Sequence, residues 1–213
     1  MSNHRLSRVQ QTQRNRELLL GAARRVFLTR GYHAATLEHI AEEAGFSKGV
    51  VYSQFQSKAD LFLALLEARI DERAAINARV VEGHSGEAGI DALLRHVASF
   101  ERAEPEWGLL VIEFRIHAAR HPDLNRRYAA AHARTCAGVE RIVTRLFEDA
   151  SHPPPLTPAA FAHLVLAVGA GARLEEAAEP ESIPVTLFAE LLAQAMSSPA
   201  VSEGPTSERR RVA

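Results

Sequence analysis

Thr36–Lys58 reads TLEHIAEEAGFSKGVVYSQFQSK, and the spacing of its apolar and small residues sets the fold. Thr36 stands before Leu37, Ile40, Ala41 and Ala44, which recur at the period of a short amphipathic helix. Gly45 closes that helix, because glycine tolerates the positive φ of a tight turn without steric cost. Ser47 begins a second short helix running to about Phe55. Ile40, Ala44, Val51 and Phe55 then face one core, and Ala41 keeps the contact small where two short helices cross steeply. This is the pattern of a helix-turn-helix. Its second helix leaves Ser47, Lys48, Gly49, Val50, Tyr52, Ser53 and Gln54 outside, a small, polar, singly basic surface of the kind a DNA major groove accepts.

Outward from this segment the pattern stays helical, with no convincing run of strand-like alternation. Upstream, Leu19, Ala22, Ala23, Val26 and Phe27 form one stripe over residues 13–30, and Gly31 ends that helix. Downstream, Ser57 can cap a fourth helix reaching about Val81. Further helices are expected over 87–103, from Pro105, from Pro122 to about Ala150, over 157–174, and from Pro184 to about Ser197. The expected organisation is a flexible basic arm over 1–12, a DNA-binding domain over 13–58, a helical ligand-binding and dimerisation domain over 59–197, and a disordered tail over 198–213.

The 213 residues carry a formal net charge of −1, which hides a strong asymmetry. Residues 1–58 hold nine Lys or Arg against four acids, giving +5, and the remainder holds 16 against 22, giving −6. A basic segment of this kind points to a polyanion as partner. No apolar run approaches the length of a membrane span, and the N-terminus lacks the apolar stretch of a signal peptide. A single cysteine, Cys136, excludes an intramolecular disulfide framework. The expected location is the cytoplasm.

Taken together, Ala22–Phe27 with Gly31 and Tyr32, Thr36, Ile40–Gly45, Ser47–Tyr52, Phe55, Ser57, Lys58, Leu61 and Phe62 resemble the DNA-binding domain of the tetracycline-repressor (TetR) family of transcription regulators. The resemblance covers about residues 13–66. It implies an all-α subunit of about nine helices that works as a homodimer on a two-fold double-stranded DNA operator. It also implies a C-terminal domain that takes a small effector, whose binding relieves repression. Carried over residue by residue, Thr36 would contact a phosphate, and Ser47 and Lys48 would sit at the groove end of the recognition helix. Gly49 would permit close approach, Tyr52 would give its hydroxyl to a phosphate, and Lys58 would pair with the DNA backbone. Gln54 and Val50 depart from the residues common in the family at those positions. In the resembled family the last two helices form a bundle with their twins, which places the dimer surface at 157–174 and 184–197.

The effector pocket is expected among the helices between about 87 and 168. Its candidate lining is Phe100, Trp107, Val111, Phe114, His117, His132, Cys136 and Phe161, a mixture that suits a partly apolar ligand. Enzyme signals are weak. His117 and His121 have a spacing that can bind metal, but no HExxH pattern accompanies them and His121 precedes Pro122. Cys136 has no legible catalytic partner, and no glycine-rich phosphate loop or G-x-S-x-G is present. Neither catalysis, a cofactor nor a metal site is expected.

Overall fold

The computed structural model describes residues 7–148, 154, 156–180, 187, 190–192, 194 and 196. Among them every regular element is helical. α1 (Arg8–Ala34) begins with a reciprocal capping box: Gln10 N donates to Ser7 Oγ at 3.2 Å, and Ser7 N donates to Gln10 Oε1 at 2.8 Å. The helix therefore starts at Arg8, and residues 8–12 of the expected flexible arm belong to it. No apolar stripe marked this first stretch, since Val9 is 79% exposed. Residues 1–6, with Arg5, lie outside the described residues.

Leu19, Ala22, Ala23, Val26 and Phe27 are all buried along α1. Gly31, at φ 72° and ψ 172°, breaks the helical path before a last turn through Tyr32. Thr36 Oγ1 then accepts from His39 N at 3.2 Å and opens α2 (Leu37–Ala44). Gly45, at φ 69°, closes it, and Phe46 N donates to Ala41 O at 2.9 Å. α3 (Lys48–Gln54) follows directly. Ser57 Oγ accepts from Asp60 N at 3.0 Å to start α4 (Lys58–Val80).

The remaining helices are α5 (Gly86–Ala103), α6 (Pro105–Ala119), α7 (Pro122–Leu146) and α8 (Pro158–Ala178). Proline stands at the first position of α6, α7 and α8, where its missing N–H has no helical partner to lose. α7 ends at Leu146, short of the expected Ala150, and α8 runs past the expected residue 174. Gly169 and Gly171 do not interrupt α8. Leu187, Glu190–Leu192, Gln194 and Met196 are helical, whereas the ends of the expected 184–197 helix and the 198–213 tail lie outside the described residues.

Two apolar cores organise these helices. The first joins α1, α2, α3 and the N-terminal half of α4 to Leu110, Phe114 and Ala118 of α6 and to Tyr128 and Ala131 of α7. The second joins Val81, α5, the C-terminal half of α7, Phe161, Leu192 and Met196. The first core crosses residue 58, so Leu61, Phe62, Leu65 and Leu66 pack with the N-terminal helices rather than apart from them.

Candidate nucleic-acid interface and effector cavity

α3 carries one buried residue, Val51, which pins it to α1 and α2 and turns the rest of its surface outward. Ser47, Lys48, Gly49, Tyr52 and Ser53 are exposed, while Val50 and Gln54 are half-buried. The Ser47 hydroxyl caps nothing. A Cβ on Gly49 would meet only Ser47 Oγ, at 3.9 Å, so no internal packing demands glycine there. Ser53 Oγ donates back to Val50 O at 2.8 Å, leaving its hydroxyl only as an acceptor toward the outside.

One carboxylate sits inside this surface. Glu38 of α2 pairs with Lys48 Nζ at 3.5 Å and accepts a hydrogen bond from Tyr52 Oη at 3.4 Å. Its carboxyl is held below the usual range, first by its own backbone N–H and then, against some desolvation, by Lys48 and Thr36. Lys48 and Tyr52 are thus already gathered around one negative charge.

Lys58 is placed differently. Its ammonium donates to Tyr32 O at 2.6 Å, to Ala35 O at 2.8 Å and to His33 O at 2.9 Å, and it lies 4.6 Å from the Tyr32 ring centroid. All three ammonium protons are engaged by the carbonyls of the α1–α2 turn. Burial pushes this ammonium below the usual lysine value, while Glu113 pulls the other way. The same turn is held from the other side, where Glu113 of α6 accepts from Tyr32 N at 2.9 Å and from His33 N at 3.0 Å. Gly31 makes room for it: a Cβ there would stand 3.1 Å from Glu113 Oε2. Tyr32 lies among Phe27, Phe62, Phe114 and His117, and its phenol is pushed up to about 12 by burial, then by Asp60 and Glu113.

A cavity of about 290 Å³ opens between the two cores, walled by α4, α5, α6, α7 and α8. Of the expected lining residues, Phe100, Trp107, Val111 and His132 face it. Phe114 and Phe161 do not, because both are fully buried, one in each core. His117 packs instead on Tyr32, His33 and His121. Cys136 is buried beside His132, behind the wall. Five arginines line the cavity, at 69, 73, 115, 134 and 173, against one acid, Glu104. Arg73 lies 3.4 Å from the Phe100 ring centroid. Arg173 of α8 crosses α6 where Gly108 has no side chain to obstruct it. Glu104 ties the wall to the head, pairing with Arg69 of α4 at 2.7 Å and with Arg24 of α1 at 2.8 Å.

The family model described as "Bacterial regulatory proteins, tetR family" matches residues 19–65. Over that segment the chain is similar to the tetR family. Its N-terminal part is 46% identical over 69 residues to the HTH-type transcriptional activator FasR of Mycolicibacterium smegmatis, covering 32% of this chain and 31% of that one. It is 38% identical over 78 residues to the HTH-type transcriptional repressor AcnR of Corynebacterium diphtheriae, covering 35% and 40%. The chain thus spans only about a third of the length of these curated relatives. Over the whole fold it is similar to the transcriptional regulator FadR of Bacillus subtilis, solved in complex with stearoyl-CoA. That likeness has a TM-score of 0.70 at 13% identity and covers 85% of this chain and 97% of that one. Both curated relatives, FasR and AcnR, are transcriptional regulators. Among the described residues no helix is long and apolar enough to cross a membrane.

Three carboxylates, Glu38, Glu104 and Glu113, join the site beyond the residues expected from the sequence. Glu38 lies within the quoted stretch, and its signal is an acid in the first turn of α2. Glu104 and Glu113 have no local signal, since their partners Arg24, Tyr32 and His33 lie 80 or 81 residues away.

Proposed function

We propose that this chain is a ligand-responsive repressor that binds a two-fold DNA operator as a homodimer and leaves it when an effector fills the cavity. The observation that carries this is the outward face of α3. Ser47, Lys48, Gly49 and Tyr52 stand clear of the core on the second helix of a helix-turn-helix. Lys48 and Tyr52 would exchange Glu38 for phosphate, with Thr36 at the start of α2 making a further phosphate contact. Val50 would meet a thymine methyl, and Gln54 would read a base edge. Ser53 would act only as an acceptor. The DNA-binding unit takes in 13–58, and 59–197 senses the effector and dimerises.

Dimerisation is supported by an exposed stripe of small and apolar residues on α8, namely Leu164, Ala167, Gly171 and Leu174, together with exposed Leu187 and Leu191. A Cβ at Gly171 would meet nothing within 4 Å, so that side of the helix is open to a partner. Two heads held about 34–36 Å apart would read one operator. The effector would have an apolar chain and an anionic end, the chain lying against Trp107, Val111 and Val139, the anion among the arginines. An acyl-CoA fits this description, as in the FadR neighbour.

A gel shift with the DNA upstream of the chain's own gene tests the reading. A specific, salt-sensitive shift is expected, abolished by lauroyl- or stearoyl-CoA and untouched by CoA alone. A shift that no acyl-CoA affects removes the effector class and keeps the regulator. Absence of any specific shift removes both.

A further inference from the structure

His132 and Cys136 stand one turn apart on α7, and α8 brings His163 to the same place. Cys136 Sγ lies 3.7 Å from His132 Nε2 and 3.6 Å from His163 Nδ1. The three donor atoms all lie within 4.8 Å of one another. A tetrahedral zinc ion, with bonds of about 2.0–2.1 Å to nitrogen and about 2.3 Å to sulfur, sets its N···S separations at about 3.6 Å. Both N···S distances here already have that value. The two imidazole nitrogens, no more than 4.8 Å apart, would close by at most about 1.5 Å to reach tetrahedral spacing.

We propose that His132, Cys136 and His163 form a binding site for a borderline-soft metal ion, Zn²⁺ by the chemistry of the ligands. Thiolate with imidazole selects zinc over hard cations, which prefer oxygen. Three protein ligands leave a fourth position for water or another small donor. Two charges face the cluster, Arg115 of α6 toward His132 and Glu140 of α7 toward Cys136. Ligation exchanges the Cys136 thiol proton, released to solvent, for the metal. Because His132 also lines the cavity, the ion would pin α7 to α8 at the cavity's edge. The site stands whether or not the cavity takes an acyl-CoA.

The test is a titration of Co²⁺ into the full-length, chelator-stripped protein. One ion per chain is expected, with the visible bands of tetrahedral cobalt and a near-ultraviolet thiolate-to-cobalt band, both displaced by Zn²⁺. Cys136→Ser should remove the thiolate band. Since Cys136 is buried and that variant can fail to fold, His163→Ala, at an exposed position, carries equal weight. It should weaken binding by more than about 100-fold, beyond the 10–100-fold of an outer-shell partner. His121→Ala should change neither signal. No thiolate band in the parent protein, or full affinity in His163→Ala, overturns the proposal.

Discussion

In the head, α2 and α3 are eight and seven residues long, and each is fixed by residues a few positions away: Thr36, Gly45, Phe46 and Ser57. Around the cavity, side chains from five helices meet across most of the chain, as when Arg173 of α8 reaches Pro105 O of α6 at 3.4 Å. The first kind of construction makes a rigid reader whose outer face can vary freely. The second makes a space whose shape depends on how long helices lie against one another. The two are nonetheless one packed body. Phe62 of α4 touches Phe27 and Tyr32 on one side and Trp107 and Phe114 on the other, with the Phe114 ring centroid 4.2 Å away. Trp107 is itself cavity wall.

Phe62→Ala should disturb both regions at once. Truncating a fully buried phenylalanine at this junction should cost about 3–5 kcal/mol. Because the head and the cavity wall share the residue, thermal unfolding should stay a single transition by both circular dichroism and Trp107 fluorescence. Two separated transitions would show that the head folds independently of the cavity.

Gly31→Ala comes next, with an expected loss of about 2–3 kcal/mol, from a backbone conformation that only glycine enters easily and from the closeness of Glu113. Gly45→Ala is its control. Gly45 also has positive φ, but nothing lies within 4 Å of its Cβ position, so the loss should be nearer about 1 kcal/mol. Equal losses in denaturant melts would mean that Glu113 yields easily and that α6 holds the head only loosely.

The same contrast explains what the sequence could show. The stripe on α1, the turn at Gly45 and the outward face of α3 are local patterns; the first two are found where the spacing put them, and on α3 Val50 and Gln54 are half-buried while the others are exposed. The capping box at Ser7 and Gln10 is local too, but no apolar stripe accompanies it to mark a helix there. The cavity was half legible. Phe114 and Phe161 have the composition of pocket residues, yet helix packing turned them into the cores. The arginines that line the space, and the His163 that joins His132 and Cys136, depend on the register of α8 against α6 and α7. A single sequence does not state that register. Lys58 is the clearest case of a motif whose position was right and whose partner was not visible, since its carbonyl partners lie across the α1–α2 turn.

That case gives a prediction of two lysines behaving oppositely. Lys58→Met should lower stability by about 1–3 kcal/mol, because three carbonyls lose a charged donor, and leave the salt dependence of DNA binding nearly unchanged. Lys48→Ala should leave the melting temperature in place and reduce the salt slope by about 1. Glu38→Gln, which frees both Lys48 and Tyr52, should tighten binding to all DNA sequences by roughly two- to five-fold, the worth of a surface ion pair. If Lys58→Met instead changes the slope and spares stability, the turn is not where that ammonium does its work in solution.

The smallest effect tests whether the joint between the two regions is desolvated. His117 of α6 lies against Tyr32, His33 and His121, with ring centroids 5.2, 5.2 and 4.5 Å away, and with Lys58 and Arg120 also near. Burial first, and then these positive neighbours, push its imidazole below the usual histidine value. As pH falls, the unfolded chain takes up this proton before the folded one does. Stability therefore falls from about pH 6.5 downward, until the pH has passed the folded value. His117→Gln removes the proton and keeps a polar group of similar reach. Its melting temperature should drop less than the parent's between about pH 7.5 and about pH 5.5, with the two curves converging or crossing on the acid side. Parallel curves over that range would mean that the ring is as well solvated folded as unfolded. The contact of α6 with the turn before α2 would then rest on Glu113 and Phe114.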